Sequence, residues 1–238
     1  MTYKDIFGKP AQSITQIRFN GIKAIYVALF GAIGIWGINT FAQGGDASSS
    51  KGFSLLLMSY LFYLKVYFKT MIGFNIFIGI ARLFGVPIRD NFNYWLLART
   101  PNEHWRRWNI LAREWIVTFV FFPIMRSKQW LFVSIMAALL TSGLLHVTPL
   151  FFEKKMDWFD LWGQLIYWTV NGLAIYAVLK VPLVYPKLMD RLKIGSKNKG
   201  WSVVGVVLTS AFYAVLLTAC SSKSWNEMES YFSRLFSL

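Results

Sequence analysis

The sequence predicts an all-α, polytopic integral membrane protein, and its composition and its apolar runs lead to that prediction. Of the 238 residues, 55% are hydrophobic and only 15% are charged, with a mean hydropathy of +0.44. Soluble domains usually carry about 25% charged residues. Several apolar runs reach the roughly 20 helical residues that cross the hydrocarbon core of a bilayer. We therefore expect about five spanning helices, with broken or re-entrant segments around a polar tunnel.

The apolar runs that predict these spans differ in character. Residues 22–42 follow a polar, basic stretch and exceed the length of a signal-peptide core, so we expect a retained helix. Residues 130–150, 158–181 and 201–220 each begin with a tryptophan, as interfacial anchors do. Residues 53–85 are apolar but contain Lys65 and Lys69, which share one helical face. Two readings stay open for these lysines: a polar face turned into the protein, or side chains that extend to the membrane interface.

The basic residues predict the topology. The net charge of +14 fits lysines and arginines near cytoplasmic loops and anionic headgroups, and we expect no nucleic-acid partner. The N-terminal flank and the loop 187–199 are rich in these residues, so both should be cytoplasmic, and five spans then place the C-terminus outside. Residues 116–125 are apolar but too short to cross, which predicts a re-entrant or buried segment. We expect residues 1–238 to form a single membrane domain.

Residues 91–123 are the first place to look for function, because they combine tryptophans with charged residues inside a chain that is mostly membrane-spanning. Such residues are costly near lipid unless they lie at the interface or line a polar cavity. Arg106 and Arg107 suit a phosphate-bearing substrate, or they pair with Glu103 and Glu114 to steady an interfacial helix. Trp105 and Trp108 complete this predicted substrate-binding set. We expect His104 to lie at the surface or the interface.

Two further polar residues are candidates for catalysis. His146 is the histidine inside a clear spanning run, where a buried neutral imidazole can act as a general base; a packing role by hydrogen bonding to another helix is the alternative. Asn109 can polarise a carbonyl group or orient a substrate, and the competing reading is a structural amide at a helix bend. The spacing of the two histidines supports no metal site. Cys220, the single cysteine, reads as a small buried residue.

The order of several motifs resembles the membrane-bound O-acyltransferase family, in particular its bacterial branch acting on exopolysaccharides and cell-wall polymers. The sequence IGIARLFGVPIRDNFNYWLLARTPNEHWRRWNILAREWIVTFVFFP contains the relevant run, with NFN followed by EHWRRWN. Two later blocks, SGLLH ending at His146 and WFDLWG beginning at Trp158, follow in the expected order. The resemblance covers about residues 75–172, beside a reduced N-terminal part, 1–74, and a C-terminal helix, 201–220. Leu145 and Val147 depart from the family's tryptophan and glycine around the histidine.

The resemblance implies an acyltransferase of a bacterial inner membrane with a cytoplasmic N-terminus. His146 would be the base and Asn109 a second catalytic residue. The expected donor is an acyl-CoA or acyl carrier protein thioester, with no bound cofactor. The acceptor would be a hydroxyl on a glycan or lipid-linked molecule, as in polysaccharide modification, and a partner acyltransferase protein is a further expectation. A non-catalytic scaffold or partner subunit and a small transporter are the alternatives.

Overall fold

A computed structural model describes residues 13–42, 50–152, 157–184 and 199–237, and all regular secondary structure in these residues is helical. This confirms the all-α prediction. The main helices are α1 (Ile14–Ala42), α2 (Gly52–Leu83), α3 (Pro101–Arg107), α4 (Ile110–Ile116), α5 (Leu131–Phe152), α6 (Trp158–Val184), α7 (Lys199–Cys220) and α8 (Trp225–Leu235). Helix α4 continues through a π-helical turn, Val117–Phe121, into Phe122–Ile124, and short 3₁₀ turns occur at Trp95–Leu97 and Lys128–Trp130.

Four of these helices are long and apolar enough to cross a membrane. The spanning stretches within the described residues are Ile14–Phe41, Gly52–Leu83, Leu131–Thr148 and Ser202–Cys220. They agree with four of the five predicted spans, and together they describe an integral membrane protein. The fifth, α6, is a 27-residue helix and is therefore long enough to cross. It is not among the four described helices that are also apolar enough to do so. Its crossing of the membrane stays a prediction.

The structure divides into two compact units, and among the described residues these are 13–91 with 233–237, and 92–232. In the first unit, α1 and α2 pack antiparallel along their length. A Cβ atom on Gly21 would lie 2.8 Å from the carbonyl oxygen of Gly79, so this crossing depends on small residues. The single-domain prediction is not decided by this division.

The lysines of α2 lie on its exposed surface. Both Lys65 and Lys69 are exposed, so of the two readings the inward-facing polar face is wrong, and side chains that extend to the interface agree with the structure. Arg82, near the end of α2, is largely buried and donates to the Ile88 carbonyl at 2.7 Å and to Asp90 at 2.9 Å. These bonds fix the chain that follows α2 to the last turn of the helix. The charge of Arg82 therefore lies at the helix end and not in its apolar middle.

In the second unit, α5 and α6 pack antiparallel around a small core. That core contains the buried side chains Ile116, Ile135, Ala138, Leu139, Trp168 and Ile175. Trp105 from α3 and Val120 and Phe121 from the π-helical turn pack against it. The segment predicted to be re-entrant or buried is thus half-buried, since Phe119 and Phe122 remain exposed.

The remaining topology predictions fall outside the described residues. Residues 1–12 of the N-terminal flank, with Lys4 and Lys9, and residues 187–198 of the basic loop 187–199 are among the undescribed parts of the chain, whereas Arg18 and Lys23 of the flank lie in α1. The cytoplasmic assignment of both stays a prediction.

Candidate functional site

The polar segment before α4 is built around one carboxylate. The side chain of Thr100 accepts a hydrogen bond from the Glu103 amide at 3.1 Å, which starts α3 at Pro101. Glu103 accepts from the backbone N–H of Arg99 at 2.8 Å and from Nη2 of Arg107 at 2.6 Å. Burial opposes ionisation of Glu103, but hydrogen bonds from Arg99 and the charge of Arg107 outweigh it and lower its pKa. The charged Glu103 carboxylate therefore stabilises the turn from Arg99 into α3.

His104 is buried, so its prediction as a surface or interfacial residue is wrong. It is 6% exposed, and its ring stacks on Tyr213 of α7 with the ring centroids 3.7 Å apart. Trp95 meets it edge to face at 5.1 Å. Burial lowers the pKa of His104 to about 3, so it is neutral at physiological pH. The sequence did not reveal this because the stacking partner comes from a helix more than 100 residues later.

The four predicted substrate-binding residues divide into two pairs. Trp105 packs on the core, with the Arg113 guanidinium 6.0 Å from the centroid of its ring. Trp108 packs edge to face on Trp95, with the two ring centroids 4.3 Å apart. Arg107 pairs with Glu103, as its structural reading predicted, and also donates to the Tyr94 carbonyl at 3.2 Å. Arg106 is exposed. These contacts give packing or pairing roles to three of the four, and substrate contact stays a prediction for all of them.

Asn109 lies at a sharp bend between α3 and α4. Its backbone is left-handed, with φ 44° and ψ 57°, a conformation that asparagine adopts more readily than most residues. Its carbonyl accepts from the Arg113 amide at 2.9 Å and so begins α4, while its side chain makes no capping hydrogen bond. The backbone of Asn109 therefore has a structural task, and its amide is not used for capping.

His146 lies on the exposed side of the spanning stretch in α5. The predicted burial is wrong: the side chain is exposed, beside the exposed Leu144 and Leu145. Nδ1 lies 2.8 Å from the Ser142 carbonyl oxygen. Because a carbonyl oxygen only accepts, Nδ1 must carry the proton in this contact, and the lone pair of the neutral ring is on Nε2. Nε2 is the atom suited to accept a proton.

The His146 ring, whose Nδ1 contacts the Ser142 carbonyl, also packs on Trp168 of α6. The two ring centroids are 5.0 Å apart, and Trp168 is buried. Its indole N–H donates to Gln164 at 3.0 Å. A Cβ atom on Gly143 would lie 2.7 Å from Cδ1 of Trp168, so only glycine admits the indole there. Sequence reasoning missed Trp168 and Gln164, although their spacing of four residues is a signal for side chains that meet on a helix.

A narrow apolar cleft lies between α5 and α6 and is lined in part by Trp168, the residue that packs on His146. It is lined mainly by Leu140, Leu144, Leu161, Leu165 and Trp168, and it encloses about 10 Å³. This is the volume of about one water molecule, far below the ~300–1,000 Å³ of ligand pockets. The cleft is thus too small, as it stands, to admit a substrate group.

The structure links the candidate residues through the core rather than by direct contact. Trp168 contacts His146 and shares the buried core with Ile116, and Trp105 packs against the same core. Helix α4, which begins directly after Asn109, packs on α5, and α5 contains His146. No group of three or more potential metal ligands occurs within the described parts of the chain.

Comparison with known proteins identifies a consistent set of relatives. The chain resembles plant diacylglycerol O-acyltransferases. It is 31% identical over 144 residues to diacylglycerol O-acyltransferase 1 of Corylus americana, covering 60% of this chain and 24% of the relative. It is 29% identical over 113 residues to that of Arabidopsis thaliana, covering 47% and 19%. It is 34% identical over 58 residues to diacylglycerol O-acyltransferase 1-1 of Oryza sativa subsp. japonica, covering 24% and 11%.

These relatives support a resemblance to membrane-bound O-acyltransferases, while no family model matches the chain. The matched part of the chain spans only about a tenth to a quarter of the length of these relatives. Their names describe lipid-directed enzymes from plants, and the bacterial polysaccharide branch is not among them.

Proposed function

We propose that this chain forms the catalytic part of a membrane-embedded O-acyltransferase that moves an acyl group from a thioester donor to a hydroxyl. The observation that carries the proposal is His146 in an apolar span, with Nδ1 engaged by the Ser142 carbonyl and Nε2 left as the basic atom. The similarity to proteins named as acyltransferases supports the same reaction class.

In this mechanism, Nε2 of His146 removes the proton from the acceptor hydroxyl as the hydroxyl oxygen attacks the thioester carbonyl carbon. The C–O bond forms, and the carbonyl electron pair moves to oxygen. Asn109 is proposed to donate its side-chain N–H to that oxygen. When the C–S bond breaks, the proton on Nε2 passes to the leaving thiolate, which gives an ester and a free thiol and restores neutral His146.

The acceptor we favour is a hydroxyl on a lipid. His146 lies on the exposed side of a spanning helix, next to the exposed Leu144 and Leu145, where a hydroxyl carried by a membrane lipid has access. The relatives are named for diacylglycerol, which supports the same class of acceptor. A glycan acceptor and a bacterial inner membrane rest on the motif resemblance alone. The donor is proposed to be an acyl-CoA or acyl carrier protein thioester, and the N-terminus is proposed to be cytoplasmic.

The test is acyl transfer by the purified full chain in lipid nanodiscs with an acyl-CoA and diacylglycerol. We expect thiol release coupled to ester formation, and we expect His146→Ala to lower the rate about 10²–10⁴-fold, the usual cost of losing a general base. Thr148→Ala is the matched control, because Thr148 is an exposed residue of the same helix. Near-normal turnover by a folded His146→Ala variant would exclude this mechanism. A folded wild-type chain that releases no thiol would favour a non-catalytic partner subunit.

A further inference from the structure

Helix α8 is a short amphipathic helix that starts directly after a spanning stretch. Its start is encoded locally: the Glu227 amide donates to the Ser224 side chain at 3.2 Å, and the Lys223 amide donates to Glu227 at 2.7 Å. Trp225 and Phe232, two turns apart on one face, are 55% and 37% exposed, and the buried Tyr231 turns to the protein. The exposed Asn226 lies on another face. The helix thus presents Trp225 and Phe232 outward, with the exposed Glu229 between them on the same face.

The start of α8 is fixed to the start of α6. The ammonium group of Lys223 lies 3.0 Å from the Asp160 carboxylate, and this interaction raises the pKa of Lys223. The Trp225 ring meets Phe159 edge to face at 5.1 Å. These contacts place the first turn of α8 at the end of the unit where α6 begins and α7 ends.

The same end of α6 carries two more exposed tryptophans. Trp158 is 75% exposed and Trp162 is 52% exposed, and their spacing of four residues puts them on one face. With Trp225 and Phe232 they make up four exposed aromatic side chains, which we call the aromatic band. The α7 span ends at Cys220, only a few residues before Trp225, so the band lies at the level where a spanning helix leaves the hydrocarbon.

We propose that α8 is an interfacial helix, and that the aromatic band is its contact with the headgroup region of the bilayer. Tryptophan is enriched at this depth because its amphipathic ring fits there. The acidic residues Glu227 and Glu229 outnumber Arg234 on α8, so attraction to anionic lipid does not drive the contact. Apolar insertion drives it instead, and zwitterionic lipid is sufficient. By the predicted topology, this is the outer leaflet.

The test measures the depth of two faces of α8 in the full chain. In a Cys220→Ser background, Phe232→Cys and Asn226→Cys are labelled with an environment-sensitive fluorophore and reconstituted in phosphatidylcholine vesicles. We expect quenching by nitroxide lipids to be several-fold stronger at position 232, and quenching by aqueous iodide to be stronger at position 226. Trp225→Cys, on the same face as Phe232, provides a second position if the 232 variant folds poorly.

Three results would overturn the proposal. Equal iodide quenching at both positions places α8 in water, and protection of position 232 from both quenchers means that protein covers the band. A lipid contact that appears only when anionic lipid is added contradicts insertion by the aromatic side chains. Strong nitroxide quenching at 232 and at 225, unchanged between low and high salt, supports it.

Discussion

Replacing Gly143 by alanine tests the packing that positions the candidate base. The new Cβ atom would lie 2.7 Å from Cδ1 and 3.1 Å from Cγ of Trp168, closer than side-chain carbons approach. Trp168 cannot move freely, because it is buried and donates to Gln164. Overpacking of this kind costs ~1–3 kcal/mol. Alanine stabilises a helix by ~1 kcal/mol relative to glycine, which offsets part of that loss.

The matched control is Gly73→Ala in α2, where a Cβ atom would meet nothing within 4 Å. It receives the helix-propensity gain alone, so the two variants should differ in unfolding free energy by ~1–3 kcal/mol, with Gly143→Ala the less stable. The measurement is equilibrium unfolding in mixed detergent micelles, followed by initial rates of acyl transfer. Because Trp168 contacts the His146 ring, we also expect a lower rate for Gly143→Ala at saturating substrate. Equal stability of the two alanine variants, with unchanged rates, would refute the close α5–α6 contact and the positioning of His146 by Trp168.

Three further predictions concern the segment around α3 and α4. Asn109→Gly keeps the left-handed backbone but removes the amide, so it should remain stable and lose turnover, whereas Asn109→Ala should lose ~1 kcal/mol of stability as well; a fully active glycine variant would remove the amide from the mechanism. The neutral, buried His104, with its pKa near 3, binds fewer protons than the unfolded chain below pH 6.5, so lowering the pH from 7 to 5 should cost about 2 kcal/mol of stability. His104→Phe should abolish that loss in urea unfolding, and an unchanged pH slope would contradict the burial of His104. Cysteines at Glu114 and Ser127 should be labelled from the same side of the membrane, because the helix from Ile110 to Ile124 is too short to cross; labelling from opposite sides would reverse the topology after this segment.

Features that depend on local sequence were predicted correctly. Four spanning helices follow from the length and hydropathy of single segments, which act within about 20 residues. The pairing of Arg107 with Glu103 follows equally from i, i+4 spacing on one helix. The structural reading of Asn109 placed it at a helix bend, and the structure has a bend there.

The tertiary structure decided which polar residues are buried. His104 is buried because Tyr213, from a helix far along the chain, stacks on it, and a sequence pattern carries no information about such a partner. His146 is exposed because α6 packs on the face of α5 that contains Gly143 and Val147, and the His146 ring lies at the edge of that face, where it contacts Trp168. The identity and spacing of residues therefore determined the helices and the candidate base. Only the packing of helices distant in sequence determined the burial of His104, the exposure of His146, and the indole that contacts its ring.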